Sequence, residues 1–156
     1  LHQRAGSSRE LVIELHGTRQ EVICTACLAR GTWEDVEQRF LQGEKDPRCT
    51  RCGGILKPNA VFFGEPLPME AFEKAREKSQ QCDLFMVVGS SLVVYPAADI
   101  PVYAKQNGAK LAIINLSNTE QDHLADIVIR GRAGEIMTRI IRDVKRKING
   151  RSNPDG

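Results

Sequence analysis

The chain is 156 residues long, 41% hydrophobic and 27% charged, enough to bury one sizeable core beside a small satellite module. Its 22 basic and 20 acidic side chains leave a net charge of +2, too weak a field to argue for a polyanionic partner, so direct nucleic-acid binding is not expected. No run reaches the length of continuous apolar sequence that a membrane helix needs, and residues 1–6 do not read as a signal peptide, so the expectation is a soluble, cytoplasmic protein without a membrane partner.

Residues 11–15 read as a short strand ending at the dipeptide His16-Gly17. Two cysteine pairs follow, Cys24-Thr25-Ala26-Cys27 and Cys49-Thr50-Arg51-Cys52. Two intervening residues let a tight turn aim both sulfurs at one point, so Cys24, Cys27, Cys49 and Cys52 can surround one zinc ion tetrahedrally. Two disulfides or a thioredoxin-like redox pair are the alternatives; the chain lacks the cysteine density of a secreted mini-domain and the strand-to-helix setting of a redox pair. With every coordination position filled by protein, such a zinc stabilises the fold and catalyses nothing. Between the pairs, residues 32–41 read as a helix capped by Thr32, with Trp33, Val36 and Phe40 on one face. The fifth cysteine, Cys82, reads as a small buried hydrophobe near the start of a strand.

Beyond Pro58, the apolar run 60–63 is broken by Gly64-Glu65-Pro66-Leu67-Pro68, and a helix is expected over 69–78. Strands are expected at 84–88, 111–114 and 126–129, and helices at 97–106, closed by Asn107-Gly108, and at 135–148. Continuous apolar runs of this kind belong to parallel strands covered on both faces, and their alternation with helices gives a doubly wound α/β sheet. The basic residues of the last helix, Arg139, Arg142, Lys145, Arg146 and Lys147, read as a solvated outer face, and residues 150–156 as a disordered polar tail.

In an open parallel sheet the ligand crevice lies beyond the carboxyl ends of the strands. Three strand ends carry small or polar residues suited to a phosphate, ribose or base: Gly89-Ser90-Ser91, Asn115-Leu116-Ser117 and Gly131-Arg132-Ala133-Gly134. No Gly-x-Gly-x-x-Gly fingerprint accompanies them. His16 ends a strand and precedes a glycine at the junction of sheet and zinc module, where an imidazole can accept a proton near neutral pH.

Leu15-His16-Gly17, the two cysteine pairs, the run from Pro58 through Glu65, the run from Gly89 through Pro96 and Ile114-Asn115-Leu116 resemble the sirtuins, the NAD-dependent protein lysine deacylases, in order and spacing. The match extends from Leu1 to about Ile148 and is most similar to bacterial and archaeal members. It implies the fold: part of a Rossmann-like parallel sheet with an inserted zinc-ribbon module. Residues 1–21 and 55–149 would belong to the NAD-binding domain and 22–54 to the zinc module.

The resemblance also implies roles. His16 matches the general base that deprotonates a ribose hydroxyl after the acyl oxygen has displaced nicotinamide. Val61, Phe62, Gly64 and Glu65 match the segment that pairs with the substrate peptide as an added strand, and Val94 and Tyr95 the facing segment. Val61 and Phe62 would flank the acyl-lysine tunnel. Gly89, Ser90 and Ser91 match contacts to the phosphates and ribose of NAD, Asn115, Leu116 and Ser117 the adenosine side, and Ala133 the adenine pocket.

The family's pyrophosphate loop, its arginine-bearing cofactor loop and its nicotinamide-gripping stretch all precede the point that matches Leu1. The chain therefore corresponds to the C-terminal portion of a sirtuin, and a sheet interrupted there is expected to expose an unpaired edge that a complementary N-terminal segment would cover. Two further readings stay open: a zinc-stabilised interaction module that binds peptide without turnover, and, more weakly, a nucleic-acid-binding zinc ribbon.

Overall fold

A computed structural model describes residues 2–151. The chain divides into two compact units between Glu73 and Lys74.

The first unit is organised by a three-stranded antiparallel sheet in the order β2-β1-β3, with β1 at Gly17–Cys24, β2 at Arg30–Thr32 and β3 at Leu56–Ala60. The expected strand over 11–15 does not form: a 3-10 turn occupies Arg9–Leu11, and the following residues are irregular up to a turn at Leu15-His16. The first strand starts only at Gly17, because Gly17 is the first residue with a partner, Ala60. The β1–β3 register then shifts before resuming at Val22–Pro58. Pro58 has no N–H to give a ladder, which is tolerable because β3 is an outer strand of this sheet.

Helix α1, Trp33–Leu41, starts as its sequence indicates: the Thr32 hydroxyl oxygen accepts from the Asp35 N–H at 3.1 Å and donates to the Asp35 carboxylate at 2.6 Å. Of the three residues expected on its inner face, Val36 is buried while Trp33 and Phe40 stay largely exposed. Helix α2 runs over Met69–Gln80, and the Cys82 thiol just beyond it donates to the Ser79 carbonyl at 3.1 Å. Cys82 is half-buried, capping a helix end rather than filling a core.

The second unit holds a parallel sheet in the order β4-β5-β6, with β4 at Leu84–Val88, β5 at Lys110–Asn115 and β6 at Ile127–Arg130. A 3-10 turn at Ala97–Asp99 leads into α3, Ile100–Gln106, and α4 covers Ala133–Arg151. Gly150 and Arg151 thus continue the last helix, two positions into the stretch expected to be a disordered tail; 152–156 lie outside the described residues. The core gathers Val87, Leu92, Ala98, Leu111 and Ile113.

Coverage on both faces holds for β5, whose residues from Leu111 to Asn115 are all buried, but not for its neighbours. β4 buries Val87 and leaves Leu84, Met86 and Val88 open on the alternate face.

Asp126 ties this sheet together. Its carboxylate accepts from Lys105 Nζ at 2.6 Å, the Leu111 N–H at 2.8 Å and Lys110 Nζ at 3.2 Å, joining the end of α3, the start of β5 and the approach to β6. The Lys105 ammonium first, and then the Leu111 N–H, hold this carboxyl well below the usual carboxylate range. A folded-state pKa below the unfolded one contributes stability that is complete above the unfolded value, about pH 4, and is lost as pH falls below it. Asp126→Asn is therefore expected to lower the melting temperature at pH 7 and to flatten the fall in stability between roughly pH 5 and pH 2. Thermal denaturation across that range checks this; parallel curves for the two proteins would exclude the role.

Candidate functional site

The two cysteine pairs of the first unit are built as a pair of equivalent turns. The Cys24 N–H donates to the Ala29 carbonyl and the Cys24 carbonyl accepts from the Leu28 N–H; likewise the Cys49 N–H donates to Gly54 and the Cys49 carbonyl accepts from Gly53. The residue that follows each pair is left-handed, Leu28 with φ 59° and Gly53 with φ 73°, which folds the chain tightly enough to present both sulfurs of a pair.

The four Sγ atoms lie within 4.8 Å of one another, with Cys24–Cys52 at 3.5 Å and Cys27–Cys49 at 3.7 Å. A tetrahedral thiolate site with bonds of 2.3 Å separates its sulfurs by about 3.8 Å, so the cluster can hold one metal ion. As thiols alone they conflict. Cys24 is drawn down to about 6 by the N–H groups of Cys27 and Ala26. Cys52, despite the Gly54 N–H, is pushed up to about 12 by Cys27 and Cys24. A divalent cation removes that conflict by stabilising four thiolates together. Gly54 is required by the same packing, since a Cβ there would lie 2.8 Å from Cys24 Sγ and 3.2 Å from Cys52 Sγ.

At the other end of β1, the candidate base is fixed through its backbone. The His16 carbonyl accepts from the Val61 N–H at 2.9 Å, and the next residue, Gly17, has φ 69°. A Cβ on Gly17 would sit 2.1 Å from the Asn59 carbonyl oxygen, so only glycine allows β1 and β3 to close this tightly. The His16 side chain is exposed. A cleft of about 640 Å³ has Gly17, Glu21, Lys57, Val61 and Glu65 among its walls, whereas His16 is not one of them.

The segment expected to dock a peptide leaves the strand after Ala60 and turns. Phe62 and Glu65 close the turn reciprocally: the Phe62 N–H donates to Glu65 Oε2 and the Glu65 N–H to the Phe62 carbonyl, both at 3.0 Å, around Gly64 at φ 86°. The Phe62 and Phe63 rings are exposed.

In the second unit the parallel strands place their carboxyl ends on one edge. The Gly89 N–H donates to the Ile114 carbonyl and the Gly131 N–H to the Asn115 carbonyl, and the site of a Gly89 Cβ lies 3.5 Å from Ala133. Gly89, Asn115 and Ala133 are thus neighbours there. The Asn115 amide donates to the Ser117 carbonyl at 3.0 Å, which shapes the loop carrying the exposed Leu116. The Ser90 hydroxyl oxygen accepts from the N–H of Leu92, a buried residue held at φ 55°, while Ser91, Val94 and Tyr95 face outward on that loop.

Sequence reasoning passed over Lys57 and Gly54, and noted Gly17 only as the glycine that follows His16. Gly54 could have been suspected from its place two residues after Cys52; Lys57 had no local signal, since its partners lie along a turn whose shape the spacing does not reveal.

A model of the Sir2 family matches residues 1–96. An NAD-dependent protein deacylase 2 of Archaeoglobus fulgidus is 48% identical over 147 residues, covering 94% of this chain and 57% of the relative. An NAD-dependent protein deacylase of Thermococcus kodakarensis is 41% identical, with 93% and 56% covered. Among solved structures, Sir2Af2 bound to a myristoylated histone peptide superposes with a TM-score of 0.83 at 47% identity, over 96% of this chain and 63% of that one. A Sir2 complex with a p53 peptide and NAD+ gives 0.84 at 41% identity, over 93% and 59%. The chain spans a little over half the length of these curated relatives, 57% and 56%. A family model covering most of the chain and relatives at this identity place the chain in one family: it belongs to the Sir2 family.

Proposed function

We propose that the protein takes part in NAD-dependent removal of acyl groups from protein lysines, giving nicotinamide, free lysine and O-acyl-ADP-ribose. The observation that carries this reading is the hydrogen bond from the Val61 N–H to the His16 carbonyl, which sets the candidate base beside the candidate peptide-docking segment. β3 is an outer strand whose chain runs on into the exposed 61–65 turn, so an extended acyl-lysine peptide has main chain to pair with. Val61 and Phe62 would offer apolar walls to the acyl-lysine and Gly64 and Glu65 would contact the peptide; the family resemblance assigns peptide contacts to Val94 and Tyr95 as well.

His16, exposed on its turn, would take the proton of a ribose hydroxyl. Gly89, Ser90 and Ser91 would bind the phosphates and ribose of the NAD substrate, Asn115, Leu116 and Ser117 its adenosine side, and Ala133 its adenine. Relatives named as NAD-dependent deacylases support this reading. A complementary N-terminal sirtuin segment would supply the pyrophosphate loop and nicotinamide pocket. We assign zinc to the four cysteines, with a structural role. Thiolates kept reduced for a metal fit the cytoplasm, and no helix among the described residues is long and apolar enough to cross a membrane.

Nicotinamide release from NAD with an acetyl-lysine peptide tests the function. Release by the wild type that falls by about a hundredfold or more in His16→Ala, at unchanged zinc content and melting temperature, is the expected result. Peptide binding with no release, with or without an added N-terminal segment, would favour the interaction module instead. For the metal, the expectation is about one zinc per chain, lost together with the fold of the first unit in Cys49→Ser. Gly54→Ala should weaken metal retention against a chelator, because its Cβ intrudes on two sulfurs; unaltered retention would show that the sulfurs do not depend on glycine at this position.

A further inference from the structure

The 62–65 turn is gripped from below by one side chain that the deacylase reading does not use. Lys57 lies on β3, and its Nζ donates to both carboxylate oxygens of Glu65 at 2.6 Å. The same ammonium reaches the Ala60 carbonyl at 3.4 Å and stands 4.8 Å from the centroid of the Phe62 ring. Glu65 in turn accepts from the Phe62 N–H. Phe62 is therefore held at its backbone by Glu65 and at its ring face by Lys57, although half of its surface is exposed and no hydrophobic core fixes it.

We propose that Lys57 and Glu65 form a clamp that sets the position of Phe62 and thereby the wall of the acyl-lysine site, making both of them positioning residues for acyl-lysine binding. This rests on the deacylase reading and assigns Glu65 a role distinct from pairing with the peptide. An exposed aromatic ring on a turn samples several rotamers, and a peptide that needs one of them must select it at the expense of affinity. A bidentate, charge-assisted ion pair that closes the turn and a cation over the ring face remove those alternatives before the peptide arrives. The Glu65 carboxyl is held below the usual carboxylate range, first by Lys57 and then by the Phe62 N–H, as a clamp of this geometry requires. Lys57 stands opposite Ile23 in the β1–β3 pairing, and its side chain spans from the strand to the turn that follows it.

Lys57→Met keeps the aliphatic stem and deletes the ammonium. In the full chain, a fluorescent acetyl-lysine peptide should bind about tenfold more weakly to Lys57→Met, and KM for the peptide in nicotinamide release should rise similarly with kcat changed less than about twofold. Lys57→Arg, which can still meet the carboxylate in a bidentate pair, should return binding to within about twofold of the wild type. Glu65→Gln keeps an acceptor for the Phe62 N–H while losing the ion pair, and should weaken binding in the same direction. It carries the test if Lys57→Met loses its zinc or its melting transition. Wild-type binding that both Lys57→Met and Glu65→Gln leave unchanged overturns the clamp alone. A wild type that neither binds the peptide nor releases nicotinamide overturns the deacylase reading, and this role with it.

Discussion

The antiparallel pairing of β1 with β3 carries the chemistry of both ends of the first unit. At one end the register Cys24–Leu56 ties the first cysteine turn to the strand that follows the second, so the two pairs face each other. At the other end the pairing of Gly17 with Ala60, extended by the bond from Val61 to His16, sets an imidazole-bearing residue beside a turn rich in exposed aromatic surface. The pairing depends in turn on two glycines. Gly17 permits an approach to Asn59 that no side chain would survive, and Gly54 leaves room for the sulfurs. A metal on the cysteines would thus stabilise the same strand pair that positions His16.

The second unit solves a different problem. A parallel strand has no hairpin to hold it, and the sheet must be secured by its connections. Asp126 does this with a single carboxylate that meets an ammonium group from α3 and an ammonium group and a main-chain N–H from β5. The carboxyl ends are then left to small residues, Gly89 and Gly131 among them, whose N–H groups cross from strand end to strand end. An edge built this way presents backbone and small side chains at close range, which suits a nucleotide phosphate or ribose better than a bulky apolar ligand.

The sequence made much of this legible. The cysteine spacing anticipated a four-sulfur cluster within reach of one ion, since two-residue spacers leave the backbone few ways to turn. The strand over 84–88 agrees with β4 at every position, and the capping role of Thr32 is present in its bonds. The reading failed where apolar content stood in for pairing. Residues 11–15 are apolar enough for a strand but find no partner, while Gly17–Cys24, with Thr18, Arg19, Gln20 and Glu21 in its first half, forms one because β3 is there to meet it. Cys82 was expected in a core and instead closes a helix end.

What the sequence by itself determined is therefore local or patterned: the paired-cysteine turns, the alternation of strands and helices, the small residues after each parallel strand, and the motifs that carry Sir2 membership. Tertiary structure alone decided which apolar strand faces are covered, that Gly17 rather than Leu11 opens the first strand, and that Lys57 reaches Glu65 and Phe62. The physical reason is range. A turn of four or five residues is governed by dihedral preferences that the residue types state directly, whereas contacts across a register shift depend on how far one strand slides past another. Lys57 and Glu65 are both ordinary charged residues in the sequence, and only the path of the chain from β3 through the turn at Gly64 brings them together.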